Sequence, residues 1–271
     1  MKYLQNLHTH SSYCDGLDTP ERMLQIAYKK GFQSIGFSGH SYMYYAPSHS
    51  MTAPGTELYK QELAYLKERY AHIMDVFCGL EVDMFSAIDL SGYDYLIGSV
   101  HYLKIGDEIV GIDRPAQIVH EVIDRYFHGD GLAYAKAYYK TLAQLPEYGN
   151  FDIIGHYDLI TKHMERETIF DVTSKEYRWA AIEAAEALAG KIPYFEVNTG
   201  AIARGYRTTP YPDKFILKEM NRLGFGVVIS SDCHDAHMVD CYFEESEKLL
   251  RECGFKEQYV LKKEGFVPIE L

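Results

Sequence analysis

Short apolar runs alternate with amphipathic stretches from one end of the chain to the other, the pattern of repeated βα units built around a parallel sheet. The runs Tyr3–Leu7, Ser34–Ser38, Val76–Val82, Tyr95–Val100, Phe151–Gly155, Tyr194–Asn198 and Gly226–Ser230 predict seven strands. Several are almost wholly apolar, as strands covered on both faces must be. Helices are predicted between them. Thr19-Pro20 supplies an N-cap with proline at the first helical position, and Gly31 supplies the stop. Thr173-Ser174-Lys175-Glu176 reads as a capping box, opening a helix that runs through Trp179 to Ala189 and stops at Gly190. Further helices are expected over Glu57–Ala71, Pro115–Phe127, Leu132–Leu145, Asp213–Leu223 and Phe243–Cys253. No linker or low-complexity segment interrupts this order, so residues 1–271 read as a single α/β domain.

The residues just beyond each apolar run are more informative than the runs themselves. The first run ends in His8-Thr9-His10 and the second in Gly39-His40; the third carries Glu81 and Asp83, and the fourth ends in Ser99-Val100-His101. The fifth leads into Gly155-His156-Tyr157-Asp158, the sixth contains Glu196, and the seventh ends in Ser231-Asp232-Cys233-His234. Ligand-type side chains thus gather at carboxyl ends, which in a parallel barrel converge on one face. Residues two apart on an extended strand point the same way, so His8 with His10, and Asp232 with His234, are each expected to reach one centre while Thr9 and Cys233 face away.

Imidazole nitrogen and carboxylate oxygen suit Zn, Mn, Fe or Co, and the lack of a thiolate cluster argues against a structural zinc site. Nine candidate ligands stand out: His8, His10, Asp15, His40, Glu81, His101, His156, Asp232 and His234. One four- to six-coordinate ion cannot use nine, so two or three divalent ions are expected. A strand-end histidine alone reads more often as a hydrogen-bonded structural residue than as a ligand; the succession across seven strands favours ligation. His49, His72, His120, His128, His163 and His237 read as solvated or capping, with His163 and His237 near enough to a strand end to line a pocket. Asp83 and Glu196 read either as carboxylates orienting a ligand histidine or as paired strand residues.

Charge narrows the partners. A formal net charge of -12 argues against a broad phosphate-backbone binder, so no nucleic acid is expected, yet bound cations would still let a small phosphorylated substrate enter. With 47% apolar and 24% charged residues and no long apolar run, no membrane association is expected. No secretory signal is read at the N-terminus, which gives a cytoplasmic expectation. Five cysteines without a C-x-x-C pair fit reduced packing thiols. Arg204 and Arg207 after the sixth strand, and Lys162 after the fifth, are candidate phosphate contacts, with solvated loop charges as the other reading. Tyr42, Tyr44 and Tyr45, among 24 tyrosines, are candidates for a pocket wall.

His8-Thr9-His10 with Asp15, Gly39-His40, Gly79-Leu80-Glu81, Ser99-Val100-His101, Gly155-His156 and Ser231-Asp232-Cys233-His234 together resemble the PHP family, named for polymerase and histidinol phosphatase domains. The length and Gly36-Phe37-Ser38-Gly39-His40 look most like its monofunctional histidinol-phosphate phosphatase branch. The resemblance implies a distorted (β/α)7 TIM-like barrel with a trinuclear site at the carboxyl ends of the strands. It implies His8, His10, Glu81 and Asp232 around one ion, Glu81, His101 and His156 around a second, and Asp15, His40 and His234 around a third. Gly39 departs from the family, where many relatives carry Asp; that removes a supporting carboxylate but no ligand. The implied reaction is hydrolysis of L-histidinol phosphate to L-histidinol and phosphate by a metal-bridging hydroxide, with Asp232, Glu81 and His234 as catalytic candidates. The sequence has no C-x5-R, R-H-G, D-x-D-x-[TV] or P-loop pattern. A PHP phosphoesterase acting on nucleotides or short oligonucleotides would share all nine ligands, and a noncatalytic metal-binding module would be expected to have lost several.

Overall fold

A computed structural model describes residues 3–271. In chain order its strands are β1 (Gln5–Asn6), β2 (Ser34–Phe37), β3 (Asp75–Asp83), β4 (Tyr95–Ser99), β5 (Tyr102–Ile105), β6 (Glu108–Gly111), β7 (Ile153–Ile154), β8 (Tyr194–Asn198), β9 (Gly226–Ser230), β10 (Glu257–Lys262) and β11 (Gly265–Glu270). Its helices are α1 (Pro20–Lys29), α2 (Ala53–Arg69), α3 (Ala116–Phe127), α4 (Gly131–Leu142), α5 (Lys175–Leu188), α6 (Gly200–Ala203), α7 (Lys214–Arg222) and α8 (Phe243–Glu252). All seven predicted runs contain a strand of one sheet, ordered β1-β2-β3-β4-β7-β8-β9, with each neighbouring pair parallel. A parallel bridge joins Thr9 to Cys233, and the His10 N–H donates to the Cys233 carbonyl at 2.9 Å. These contacts set the first strand against the last and nearly close the barrel.

Strand alternation sorts the side chains into two compartments. Leu7, Phe77, Tyr95, Ile97, Ile153 and Val228 form one buried cluster inside the barrel. Their sequence neighbours Val76, Leu96, Ile154, Val227 and Ile229 pack in the larger core with helical residues such as Leu24, Leu66, Tyr138 and Leu188. Tyr95 fills the barrel interior because Gly36 and Gly79 leave it room: a Cβ at either position would overlap its ring or hydroxyl. Its hydroxyl donates to the Leu7 carbonyl, tying β4 to β1 across the interior.

Two hairpins were not among the predicted elements. β5 and β6 pair antiparallel around the two-residue turn Gly106-Asp107, with Gly106 at φ 63°. β10 and β11 pair antiparallel beside the sheet, where Gln5 exchanges two hydrogen bonds of 2.7 Å with the Leu261 backbone. Leu261 joins the interior cluster, while Tyr259 and Phe266 pack on Tyr194 at the start of β8. The hairpin therefore covers the amino-terminal end of the barrel, opposite the end that carries the histidines.

Helix starts follow capping chemistry. Thr19 accepts the Arg22 N–H ahead of Pro20, as expected. The capping box is displaced by one residue: Asp171 engages the Thr173 backbone N–H and hydroxyl, so Ser174 caps α5 by accepting the Tyr177 N–H. α2 begins earlier than predicted, because Thr52 caps it and Pro54 lies in its first turn. Among the described residues no helix is long and apolar enough to cross a membrane.

Candidate metal centre

All nine candidate ligands meet at the carboxyl end of the barrel. His8 and His10 leave β1 on the same side as expected, and their Nε2 atoms converge on Glu81 from β3 and on Asp232 after β9. His8 Nε2 lies 3.4 Å from Glu81 Oε2 and 3.7 Å from Asp232 Oδ1. The corresponding distances from His10 Nε2 are 3.6 and 3.2 Å. A tetrahedron of ligands at zinc bond lengths has edges of about 3.3–3.6 Å. His8 Nε2 and His10 Nε2 are buried without a hydrogen-bond partner, a costly state that a shared cation would relieve. The donor set and its spacing fit a divalent ion.

Glu81 spans two groups with its two oxygens. Oε1 lies 2.9 Å from His156 Nε2 and 3.3 Å from His101 Nε2, and the two Nε2 atoms face each other at 3.1 Å. Two imidazole nitrogens aimed at one another beside a carboxylate need a proton or cation between them. Oε2 also lies 2.8 Å from His40 Nδ1. A third group gathers around Asp15, with His234 Nε2 at 3.3 Å, His10 Nδ1 at 3.5 Å and His40 Nε2 at 3.6 Å. The turn carrying Asp15 is pinned in place by the Leu17 N–H, which donates to the His234 carbonyl at 2.7 Å.

One geometric expectation fails. β9 ends at Ser230 and Asp232 has φ 46°, in the left-handed region that aspartate tolerates better than most residues. Asp232 and His234 therefore do not point in parallel from an extended strand: Asp232 Oδ1 turns to His8 and His10, and His234 Nε2 to Asp15.

Carboxylates behind the histidines fix their orientation. Glu196, fully buried on β8, lies 2.9 Å from His8 Nδ1 and accepts the His156 backbone N–H at 2.7 Å. Asp83 accepts the His101 backbone N–H at 3.1 Å and the Tyr45 hydroxyl at 2.5 Å. Glu196 is thus placed to orient the His8 ring, while Asp83 holds the His101 backbone. Burial opposes charge on His8, but Glu196, Glu81 and Asp232 outweigh it and hold its pKa well above the usual range. His10 goes the other way: burial, with His234 and His40 beside it, lowers its pKa to about 3 and keeps the imidazole neutral. Burial also opposes charge on Asp232, yet Arg204 and His8 hold its carboxyl well below the ordinary range.

These groups open into a cavity of about 340 Å³. Arg204, at the end of α6, lies on its wall and donates from Nη2 to Asp232 Oδ2 at 3.1 Å. Lys162 is there too, paired with Asp113 and set 4.4 Å over the Tyr206 ring. Arg207 is not brought to the cavity: it is buried, bonded to the Thr161 hydroxyl and stacked 4.6 Å from the Tyr211 ring. Those partners use its charge to hold the loop rather than to meet an anion. Tyr42 and Tyr44 point to solvent and Tyr45 binds Asp83; Tyr102 and Tyr206 line the wall instead. His49, read as solvated, also lines the cavity, 3.8 Å from Asp15. His163 is buried behind it, with Nε2 2.8 Å from the Arg114 carbonyl. Asp113 and Arg114 carry no signal in the apolar pattern because the β5–β6 hairpin delivers them; the Gly106-Asp107 turn is the mark by which that hairpin could be found.

The sequence profile of the PHP domain family matches residues 6–200. A protein of Deinococcus radiodurans named "Probable histidinol-phosphatase" is 27% identical, with 94% of this chain and 95% of that protein covered. The histidinol-phosphatase of Bacillus subtilis is 25% identical, with 88% and 96% covered. Among solved structures, histidinol phosphate phosphatase from Lactococcus lactis, complexed with Zn, L-histidinol and phosphate, superposes with a TM-score of 0.72 at 21% identity, covering 97% of this chain and 98% of that one. The last comparison shows a common fold.

Proposed function

The chain belongs to the PHP domain family, and from that premise we propose that it is a metal-dependent phosphatase that hydrolyses L-histidinol phosphate to L-histidinol and phosphate. One observation carries this reading: imidazoles and carboxylates from six of the seven strand ends gather at one cavity whose wall also presents Arg204 and Lys162, and among them the buried His8 Nε2 and His10 Nε2 have no hydrogen-bond partner of their own. Glu81 is the hinge of the ligand assignment, since one oxygen faces His8 and His10 and the other faces His101 and His156. His8, His10, Glu81 and Asp232 would hold one divalent ion, Glu81, His101 and His156 a second, and Asp15, His40 and His234 a third. Zn, Mn and Fe all suit this nitrogen and oxygen set.

Bound divalent ions supply Lewis acidity and a nucleophile available at neutral pH. The chain's own groups do the rest. Arg204 and Lys162 orient the phosphate so that its ester bond lies across the cavity. Arg204 also keeps Asp232 ionised, which suits that carboxylate to ligation more than to proton donation. Glu196 keeps the imidazole of His8 from turning away, and Asp83 fixes the backbone that carries His101. Burial of the donor cluster removes water that would otherwise compete for these contacts.

The test is kcat/KM of the purified protein, with added Mn or Zn, on L-histidinol phosphate and on a panel of nucleotides. Histidinol phosphate is expected to be the best substrate. A nucleotide that exceeds it would overturn the substrate assignment.

A further inference from the structure

Asp113 is the carboxylate on the cavity wall that belongs to none of the ligand-spaced groups. Asp15, Glu81 and Asp232 each sit in such a group, whereas Asp113 is met by the ammonium of Lys162. Three cations, Arg114, Lys162 and Arg204, face the same space. For a ligand that is only a phosphate this is a poor arrangement, because the carboxylate repels the anion and neutralises part of the lysine's charge. The conflict disappears if the ligand carries a positive group beside its phosphate.

We propose that Asp113 receives the ammonium of the substrate while Lys162 and Arg204 hold its phosphate, so that the pocket selects phosphate monoesters with an amine on the carbon next to the phosphorylated one. This rests on the histidinol phosphate reading above and adds the residue that recognises the amine. Lys162 and Asp113, side by side, present a cation and an anion to a ligand that carries the complementary pair.

The segment holding Asp113 is fixed on both sides. The Ile112 N–H donates to the His101 carbonyl at 2.8 Å, and the Arg114 carbonyl lies 2.8 Å from His163 Nε2. Pro115 then leads directly into α3. The Asp113 side chain keeps 32% of its surface exposed, leaving an open side besides the one Lys162 occupies. Burial opposes its charge, but Lys162 outweighs burial and holds the carboxyl below its ordinary pKa, in the form that accepts an ammonium N–H.

The test compares kcat/KM within two pairs of esters, in the wild type and in Asp113→Asn. One pair is L-histidinol phosphate and its deamino analogue, imidazolylpropyl phosphate; the other is aminoethyl phosphate and ethyl phosphate. The wild type is expected to favour the amine-bearing member of each pair by at least about tenfold. Asp113→Asn is expected to erase the preference by lowering activity on the amine-bearing esters alone, Asp113→Glu to restore part of it, and Lys162→Ala to lower both members of a pair equally. Equal loss on both members in Asp113→Asn overturns the proposal and makes Asp113 a support for Lys162. An intact preference in that variant also overturns it, as does absence of any amine preference in the wild type, which needs no variant. If the wild type ignores both imidazole esters, the histidinol reading falls, while the aminoethyl and ethyl pair still decides the role of Asp113.

Discussion

Glu196 couples two candidate ligands from different strands: its carboxylate lies 2.9 Å from His8 Nδ1 while it accepts the backbone N–H of His156 at 2.7 Å. His8 and His156 sit on opposite sides of Glu81, so one buried side chain sets the spacing of both donor groups that share it. Glu196→Gln keeps the shape but weakens the hold on the His8 ring. Metal affinity is expected to fall by about 10- to 100-fold, read by titration of the apoprotein, with the melting temperature of the metal-free form changing far less. Unchanged affinity would make Glu196 a paired strand residue and nothing more.

His40 and His101 contact Glu81 from different oxygens, Oε2 and Oε1. His40→Ala and His101→Ala are each expected to lower bound metal, measured by elemental analysis after dialysis. Activity should fall by about 100-fold or more, since each variant removes a donor from a group with few substitutes. Retention of both full metal content and full activity in either variant would remove that residue from the ligand set.

Tyr95 occupies space that Gly36 and Gly79 leave inside the barrel. Gly79→Ala forces a methyl group into the ring in a region with no slack, and overpacking of this kind costs roughly 1–3 kcal/mol or more. Urea midpoints should drop accordingly. The added substitution Tyr95→Leu should recover part of the loss, because a smaller side chain makes room for the methyl group; a double variant less stable than the sum of the two singles contradicts this account.

Asp158 is fully buried next to Tyr157, and burial, only partly offset by Arg207, raises its carboxyl pKa to about 6 from 3.8. Its folded-state pKa thus lies above the unfolded value. Between the two, the unfolded chain binds fewer protons than the native one, so this group's contribution to stability is greatest below about pH 4 and declines as pH rises to about 6. The loss from this group is on the order of 2–3 kcal/mol. Asp158→Asn cannot ionise, so its stability relative to the wild type should climb across that same interval in urea titrations at fixed metal concentration. Parallel pH profiles for the two proteins would rule the carboxyl out as the source.

The strands and the gathering of the candidate donors were legible because both depend on local sequence. An apolar run such as Val76–Val82 can hardly avoid being a strand covered on both faces, and donors at strand ends inherit their placement from the parallel topology. His8 and His10 converge because β1 stays extended through them. Asp232 broke the same rule since its backbone turns left-handed, a state that residue spacing does not reveal. The cavity's side walls were less readable. Arg204 and Arg207, three residues apart, received similar roles from the sequence, but their fates depend on Asp232 and Thr161, partners distant in the chain. Asp113 needed the β5–β6 hairpin to be seen first, and Thr173 gave up the cap to Ser174 because Asp171, whose reach is a matter of conformation, engages it.

The bridge between Thr9 and Cys233 has a consequence for the order of events as the chain is made. A polypeptide growing from its N-terminus produces His8 and His10 early and Asp232 near the end, so the donor group built on all three is incomplete until β9 docks beside β1. Loop closure over so long a span is a late step of folding. A nascent chain interrupted after β8 would present imidazoles and Glu81 without the carboxylate that completes them, and so would hold its ion weakly. Tight ion retention would therefore report that β9 has docked against β1 and the barrel has closed, a quality check written into the sheet order itself.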